Sequence, residues 1–231
     1  MHADLAAGKL PWIIQETETL ARHYGIGSAW AGLHAYRAVR AGRLAWEQWL
    51  PVAGGTLHPF AAGSMLYAES AFSFLEEELS RADGGEDRPA LPAPLYAGNY
   101  ETLRSVPREN WNFASPWQIR RELRFPWYGT SVYTAADGAA LTVRFRGRML
   151  AAQLDFGKRC GILKYRIDGG EECVYTGVRE AWVPDTGWCI PVLLADDLEN
   201  GEHVLELSVH YAQMPDCKGS ECKIFDFMSA E

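Results

Sequence analysis

The second half of the chain contains a series of short segments in which apolar and polar residues alternate, separated by turn residues. Residues 141–146 alternate in this way, and residues 161–167 do so again directly before the turn Asp168-Gly169-Gly170. Alternation with a period of two places one face of a strand in a core, and Asp-Gly favours a tight hairpin turn. Further segments of this kind are residues 173–176, 190–194, 203–211 and 223–228. Six or more short strands without intervening helices predict an antiparallel, jelly-roll-like β-sandwich.

The first 80 residues follow a helical pattern instead. Residues 10–24 are predicted to form a helix that ends at Gly25, and residues 26–33 a short buried strand that leads into a second helix. The clearest helix covers residues 61–80, where apolar residues recur in steps of three and four and so form one apolar stripe. This stripe consists of Met65, Ala68, Phe72, Leu75 and Leu79.

The composition changes near residue 85, where the helical pattern gives way to the strand pattern. Residues 80–95 are rich in Gly, Pro and charged residues and lack periodicity, which is typical of a linker. The predicted organisation is therefore a helical part over residues 1–84, a linker over 85–110 and a β-sandwich domain over 111–231. The predicted fold class is α+β.

Charge and composition exclude several classes of function. The net charge is -8, so phosphate backbones and anionic membrane surfaces are poor partners, and neither nucleic acid nor a membrane is expected. An apolar run of the ~20 residues that a membrane span needs does not occur. The five cysteines are odd in number and lack CxxC spacing, which favours reduced, packed thiols. No metal site and no cofactor are expected. Because residues 1–9 show no signal peptide, the expected location is the cytoplasm.

The segment from Gly54 to Ser64 contains the clearest candidate for chemistry. His58 stands directly before Pro59, and Pro is favoured in the first turn of a helix because it lacks only an N–H that would be unpaired there. An imidazole at such a junction is exposed enough to exchange protons and is held by the helix behind it, as a general base must be. The alternative is a histidine at a helix start without a chemical role.

Several motifs in both halves occur in the order found in a known hydrolase family. In the first half they are Leu20-Ala-Arg-His-Tyr-Gly-Ile-Gly-Ser, Gly42-Arg-Leu-Ala-Trp-Glu-Gln-Trp-Leu, Leu57-His-Pro and Gly63-x-x-x-Tyr-Ala. In the second half they are Gly129-Thr-Ser-Val-Tyr, Thr142-Val-Arg-Phe-Arg-Gly, Tyr165-Arg-Ile-Asp-Gly-Gly and Leu198-Glu-Asn-Gly-Glu-His-Val-Leu-Glu-Leu. The chain resembles the C-terminal part of a GDSL/SGNH-type hydrolase domain, followed by the β-sandwich that accompanies some of these enzymes. This resemblance implies that residues 1–84 are the helical remnant of an α/β domain.

The resemblance implies a carboxyl-ester hydrolase, a carbohydrate esterase acting on acylated sugars. In such enzymes a Ser attacks the ester, a His removes its proton, and an Asp three residues before the His orients the ring. His58 is then the catalytic base, but Gly55 stands at the Asp position, and the chain has no Gly-Asp-Ser motif. The serines next to glycine are Ser28, Ser64 and Ser131, and none lies at the expected strand-to-helix turn. The expectation is a fragment that carries the base, lacks the nucleophile and is inactive by itself.

Four tryptophans are candidate substrate-binding residues, because aromatic rings stack on sugar faces. Trp46 and Trp49 closely precede His58 and either line a pocket for the substrate or seal the helix against the loop. Trp182 and Trp188 lie in the second half and either bind a glycan or pack the sandwich. The second pair motivates a different hypothesis, a carbohydrate-binding module without catalysis. The expected partner in both cases is a small-molecule or glycan ligand.

A group of arginines offers a further candidate site. Arg120, Arg121 and Arg124 are close enough in sequence to bind an anion together. Alternation along a strand, however, predicts that their side chains are divided between its two faces.

Overall fold

The computed structural model describes residues 2–50, 58–81, 90–96, 98, 100, 102–177 and 179–231. The chain forms two compact units, Met1–Asn99 and Tyr100–Glu231. Among the described helices, none combines the length and the apolar character needed to cross a membrane. The same part of the chain contains no group of three or more His, Cys, Asp or Glu side chains arranged to hold a metal ion.

The first unit is helical. Its helices are α1 His2–Ala6, α2 Trp12–Tyr24, α3 Ala31–Arg40, α4 Trp46–Trp49 and α5 Ala61–Arg81. The helices predicted over residues 10–24 and 61–80 are confirmed as α2 and α5. α2 ends at Gly25, which adopts a left-handed conformation with a φ of 63°. The N–H of Ile26 then donates to the carbonyl of Ala21 at 2.8 Å, so the last turn of the helix is capped by the backbone.

The strand predicted over residues 26–33 is wrong. Among the described residues of this segment the first five have no regular structure, and α3 begins at Ala31. The segment is fixed by side chains instead, since Ser28 Oγ and Trp30 Nε1 both donate to Glu18 Oε1, at 2.5 and 2.6 Å. These contacts with α2 replace the sheet partner that an extended strand needs.

A small core holds the first unit together. Its buried members are Ala35, Ala38, Trp49 and Leu66. The predicted apolar stripe of α5 does not contribute to this core, because Met65, Phe72 and Leu79 are 63%, 68% and 73% exposed. The buried residues of α5 are Gly63 and Leu66. The helix was therefore predicted correctly, but its widest apolar face lies on the surface of the described chain.

The described residues of the second unit form two antiparallel sheets. The first sheet consists of β1 Leu103–Ser105, β3 Gln118–Arg121, β4 Thr130–Thr134, β6 Met149–Phe156, β9 Trp188–Ala195 and β11 Cys222–Ala230. The second sheet consists of β2 Trp111–Phe113, β5 Ala140–Gly147, β7 Ile162–Ile167, β8 Cys173–Tyr175 and β10 Gly201–His210. The strand orders are β3-β4-β11-β6-β9, with β1 also on β11, and β2-β5-β10-β7-β8.

The two sheets share one hydrophobic core. It includes Val132 and Phe227 from the first sheet and Phe145 and Leu205 from the second, all of them fully or almost fully buried. The ring of Trp111 on β2 lies 4.7 Å from the ring of Phe227, which joins the sheets at one end. The predicted antiparallel β-sandwich within an α+β chain is therefore confirmed, whereas its jelly-roll-like form stays a prediction.

The second unit begins earlier in the chain than residue 111. β1 pairs antiparallel with β11, with Leu103 opposite Ala230. The next residue after β1, Val106, is buried, and its N–H donates to the carbonyl of Phe227 at 2.7 Å. Residues 103–106 thus belong to the sandwich, although the sequence placed them in the linker over residues 85–110.

The hairpin predicted at Asp168-Gly169-Gly170 joins β7 to β8, and Asp168 and Gly169 have the positive φ values of 52° and 69° that such a turn requires. Asp168 also holds this hairpin to β10. Its Oδ1 accepts the N–H of Val204 at 2.7 Å, and its Oδ2 lies 2.6 Å from His203 Nδ1. The hydrogen bond with Asp168 raises the pKa of His203 above its usual value.

We expect the sandwich to lose stability as the pH rises through the pKa of His203. A raised folded-state pKa gives stabilisation that is complete below the unfolded value of about 6.5 and is lost above the folded value. His203→Gln should therefore cost about 1 kcal/mol at pH values near 5.5 and much less near 8, since the partner carboxylate of Asp168 is half exposed. Denaturant unfolding at the two pH values measures this difference. An equal cost at both would mean that the imidazolium form is not favoured by the fold.

Candidate functional site

His58 lies at the entrance to α5, where the sequence places the candidate base. The backbone behind it is fixed, since the N–H of Phe60 donates to the carbonyl of Trp49 at 2.9 Å. Gly63 permits this approach because a Cβ there would lie 2.7 Å from the same carbonyl oxygen. His58 itself is exposed. An imidazole on a fixed backbone and open to solvent has the position that the general-base role requires.

Gly55, the residue at the family's Asp position, lies outside the described residues. An Nδ1–H needs only an acceptor, so a carboxylate is not the sole group that fixes the tautomer.

The three serines next to glycine occupy different environments. Ser28 Oγ donates to Glu18, as described above. Ser64 lies in the first turn of α5, where its N–H donates to the carbonyl of Phe60 at 2.8 Å. Ser131 is fully buried on β4 in the second unit. The described residues that line the cavity beside Ser131 include no histidine, so Ser131 does not form the Ser–His pair of the expected mechanism there.

A cavity of about 410 Å³ lies in the first unit among α2, α3 and the segment that joins them. Glu18, Ser28 and Trp30 are part of its wall. The hydrogen bond from Ser28, and to a smaller extent that from Trp30, lowers the pKa of Glu18. The carboxylate therefore stays ionised, and its Oε1 already accepts two hydrogen bonds. Glu18 is therefore suited to holding the segment after α2 in place and unsuited to accepting a proton from a substrate.

The first pair of candidate tryptophans lies in the core of the first unit. Trp49 is fully buried, and its Nε1 donates to Tyr67 Oη at 3.3 Å. Trp46 is half-buried and meets Trp49 edge to face, with the ring centroids 5.2 Å apart. The burial of Trp49 favours the packing alternative for that residue, whereas substrate contact by Trp46 stays a prediction.

The second pair of candidate tryptophans forms an exposed aromatic cluster on the sandwich. Trp182 and Trp188 are 52% and 47% exposed. Their ring centroids are 5.6 Å apart, and the ring planes are nearly perpendicular at 85°. Two half-exposed indoles in contact present the apolar surface on which sugar rings stack. The structure thus brings Trp182 and Trp188 together, as a joint binding role requires.

The second unit contains a buried charged network that the sequence did not indicate. Lys223 Nζ on β11 lies 2.7 Å from Glu122 Oε2 and 3.1 Å from Asp155 Oδ2, and Arg124 Nη1 lies 3.4 Å from Asp155 Oδ1. Glu122 and Asp155 are only 4% and 3% exposed. Burial raises the pKa of Asp155, although Lys223 and Arg124 oppose it. Burial alone lowers the pKa of Lys223, but its two carboxylate partners raise it overall.

Comparison with known proteins finds similarity at the level of structure. No protein-family model and no curated protein sequence matches the chain. A two-domain esterase (CEX) active on acetylated mannans, co-crystallised with mannopentaose, matches with a TM-score of 0.72 and 19% identity, over 92% of this chain and 57% of that one. A further structure of a two-domain esterase (CEX) active on acetylated mannans matches with a TM-score of 0.73 and 18% identity, over 93% and 58%. The chain has the fold of part of a two-domain esterase.

Both matches cover only part of the esterase chains and have low sequence identity, so they establish similarity of fold. The chain spans less than three-fifths of the length of either esterase chain. At 18% and 19% identity the similarity concerns the fold, which here covers nearly all of the present chain. A family two carbohydrate esterase from Cellvibrio japonicus matches with a TM-score of only 0.40 at 14% identity, over 56% of this chain and 33% of that one, and adds no weight. The predicted combination of a helical part and a β-rich accessory domain is therefore one that a known esterase also has.

Proposed function

We propose that the chain is the C-terminal part of an SGNH/GDSL-type carboxyl-ester hydrolase that acts on acylated glycans, with His58 as the general base. The observation that carries this proposal is the match of 92% of the chain to the two-domain esterase active on acetylated mannans. The ordered motifs of both halves and the exposed position of His58 at the start of α5 support it.

In the proposed reaction His58 removes the proton from a serine hydroxyl as that oxygen attacks the ester carbonyl. It then returns the proton to the departing sugar oxygen. Since the 231 residues lack a Gly-Asp-Ser motif, the serine and the oxyanion donors come from outside this sequence. The exposed stripe of α5 supports such an additional part, because Met65, Phe72 and Leu79 form an apolar face larger than single scattered residues.

The chain by itself should not hydrolyse p-nitrophenyl acetate or acetylated mannan above background. The proposal predicts a Gly-Asp-Ser polypeptide that completes the enzyme, and activity should appear when the chain is produced together with it. His58→Ala should then reduce kcat/KM by about 100- to 10,000-fold, since a general base contributes that much. His23→Gln is the matched control, because His23 Nε2 faces the carbonyl oxygen of Ala93 within the same unit.

Two outcomes would contradict the proposal in different ways. Turnover by the chain alone that disappears in His58→Ala would show a serine nucleophile within these 231 residues. Full activity of His58→Ala in the reconstituted enzyme would remove His58 from the mechanism. Circular dichroism of each variant distinguishes loss of catalysis from loss of folding.

A second candidate function is a carbohydrate-binding module without catalysis. The contact between the exposed rings of Trp182 and Trp188 favours it. If the pair stacks on a glycan, Trp182→Ala and Trp188→Ala should each weaken binding to mannan oligosaccharides by about tenfold. Trp127→Ala is the control, because Trp127 is 71% exposed and its nearest rings are Phe125 and Tyr128 instead. Calorimetric titration that finds equal affinities for all four proteins would exclude this role.

A further inference from the structure

The loop between β3 and β4 folds over the outer face of the first sheet. It is closed at its base, where the N–H of Glu122 donates to the carbonyl of Gly129 at 2.9 Å. Tyr128 stacks on Phe225 of β11 with a centroid distance of 4.4 Å, and Phe125 meets the same ring edge to face at 5.5 Å. The loop therefore covers part of a sheet face that in an ordinary sandwich is open to solvent.

A cavity of about 300 Å³ lies between this loop and the sheet. The strand register shows which side chains form its floor. Arg120 lies opposite Ser131 on β3 and β4, and Lys223 lies opposite Tyr133 on β11 and β4, while the intervening Val132 points into the core. Alternation thus directs Ser131, Tyr133 and Lys223 outward, into the cavity that they line.

Among the residues that line this cavity, Ser131 is the one whose buried polar atom lacks a partner. It is fully buried, and its Oγ has no hydrogen-bond partner among the described residues. Buried hydroxyls are nearly always hydrogen-bonded, so an unpartnered one that lines a cavity indicates a group that binds there. The neighbouring Thr134 on the same strand is satisfied, since its Oγ1 donates to the carbonyl of Pro116 at 2.9 Å.

The remaining polar groups of this cavity are mainly hydrogen-bond donors. Lys223 has three N–H groups and two carboxylate partners, so one donor is left. Arg120 uses Nε and one terminal nitrogen on Gln118 Oε1, and its guanidinium covers the Tyr133 ring at 3.4 Å. Arg121 also lines the cavity and has no ion pair among the described residues. Tyr133 is therefore not free to stack on a sugar, and the available chemistry suits an acceptor-rich ligand.

The charges at this cavity favour an anion. Its cations are Arg120, Arg121, Arg124 and Lys223, and its acids are Glu122, Asp155 and Glu221. Glu122 and Asp155 already hold Lys223, and Glu221 pairs with Arg159. The acids are thus all occupied, whereas arginine nitrogens are left to bind oxygen. A guanidinium matches a carboxylate in a planar, two-point geometry.

We propose that this cavity binds a small hydroxylated carboxylate, whose carboxylate contacts Arg120 and whose oxygen accepts the hydrogen bond of Ser131. A volume of about 300 Å³ is at the lower end for small-molecule sites, so the ligand is the size of a single sugar acid or smaller. The site lies entirely within the second unit and does not depend on the proposed hydrolase function. It also differs from the exposed Trp182–Trp188 pair, because neither indole lines it.

The test is calorimetric titration of the full chain with D-gluconate and with D-glucitol, which has a hydroxymethyl group in place of the carboxylate. D-gluconate should bind with saturation, and D-glucitol should bind at least tenfold more weakly. Acetate and inorganic phosphate are the other probes. Gluconate binding that is tighter than acetate binding supports the proposal. Acetate binding as tight as that of gluconate overturns it, because the hydroxyl groups would then contribute nothing. Phosphate binding more tightly than either carboxylate overturns it.

Two variants connect the binding to the named residues. Ser131→Ala and Arg120→Gln should each weaken gluconate binding by about tenfold. Ser131→Ala should also raise the melting temperature of the unliganded chain by about 2 °C, because it removes a buried hydroxyl that has no partner. A purely structural serine would instead lower it. Arg104→Gln, an exposed arginine on β1, is the control. Wild-type affinity in both variants, or no gluconate binding by the native chain, overturns the proposal.

Discussion

Lys223→Met is expected to lower the free energy of unfolding of the sandwich by about 3–5 kcal/mol at neutral pH. Lys223 is the shared cation of Glu122 and Asp155, which are almost completely buried. Removing one partner of a buried ion pair leaves the other charge without compensation, and here two carboxylates lose the same partner. Denaturant unfolding followed by tryptophan fluorescence measures the loss.

The pH dependence of this loss identifies its electrostatic cause. Burial already raises the pKa of Asp155 in the native chain. Without Lys223 both carboxyls should take up a proton more readily, so the difference between Lys223→Met and the native chain should shrink as the pH falls towards about 5. Lys223→Arg keeps the charge and should retain most of the stability. A loss of the same size at every pH would indicate a packing defect, and no loss at neutral pH would mean that the carboxylates find other partners.

Trp49→Ala is expected to lower the stability of the first unit by a similar amount, about 3–5 kcal/mol, because it leaves a large cavity in a small core. Trp49 is fully buried and hydrogen-bonded to Tyr67, and its backbone carbonyl fixes the entrance to α5 through Phe60. Trp46→Ala is the matched comparison, and the half-buried position of Trp46 predicts about half that loss. Unfolding followed by far-ultraviolet circular dichroism reports on the helices.

The same pair of variants distinguishes packing from substrate contact. If Trp49 only supports the fold, Trp49→Ala should shift the unfolding curve. In the reconstituted enzyme it should leave KM unchanged and lower the apparent kcat in proportion to the fraction unfolded. An unchanged unfolding curve together with a raised KM would assign Trp49 to the substrate pocket. Because the carbonyl of Trp49 also holds the backbone beside His58, a moderate fall in kcat is expected in either case.

The sandwich was predictable from the sequence because its strands are amphipathic and its turns are local. Leu141, Val143 and Phe145 are buried and alternate with polar residues, and the turn at Asp168-Gly169 has the backbone that these residues favour. The linker was harder to place, since β1 has only three residues and all of them are exposed. A strand that short shows its pairing with β11 only in three dimensions.

The helical part shows that hydrophobic periodicity predicts a helix but not the contacts of its apolar face. Steps of three and four residues correctly predicted α5, but periodicity does not say what covers the apolar face. Phe72 and Leu79 are exposed, whereas the less prominent Leu66 and Gly63 pack against the core. Residues 26–33 were predicted as a strand from an apolar run alone. The glycine cap at Gly25 and the side-chain bonds to Glu18 determine that segment instead.

The sequence indicates a candidate site only where a single residue, such as a histidine before a helix, suggests the chemistry. His58 before a proline is visible in the sequence, and the structure places it directly before α5, whereas its role as a base stays a prediction. The cavity beside Ser131 was not visible. Strand alternation divided Arg120, Arg121 and Arg124 between two faces, yet all three line this one cavity. Arg121 is the last residue of β3, and Arg124 lies in the loop that folds back over the sheet. Long-range loop packing of this kind leaves no periodic signal.

The position of β11 in the first sheet has a consequence for how the chain is made. β11 is the late strand that joins β1, β4 and β6, whereas the second sheet is already complete at His210 in β10. During synthesis from the N-terminus, all strands of the second sheet are therefore made before β11, an inner strand of the first sheet. Until Cys222–Ala230 is available, β1, β4 and β6 lack the strand that joins them, and their open edges can pair with the wrong partner.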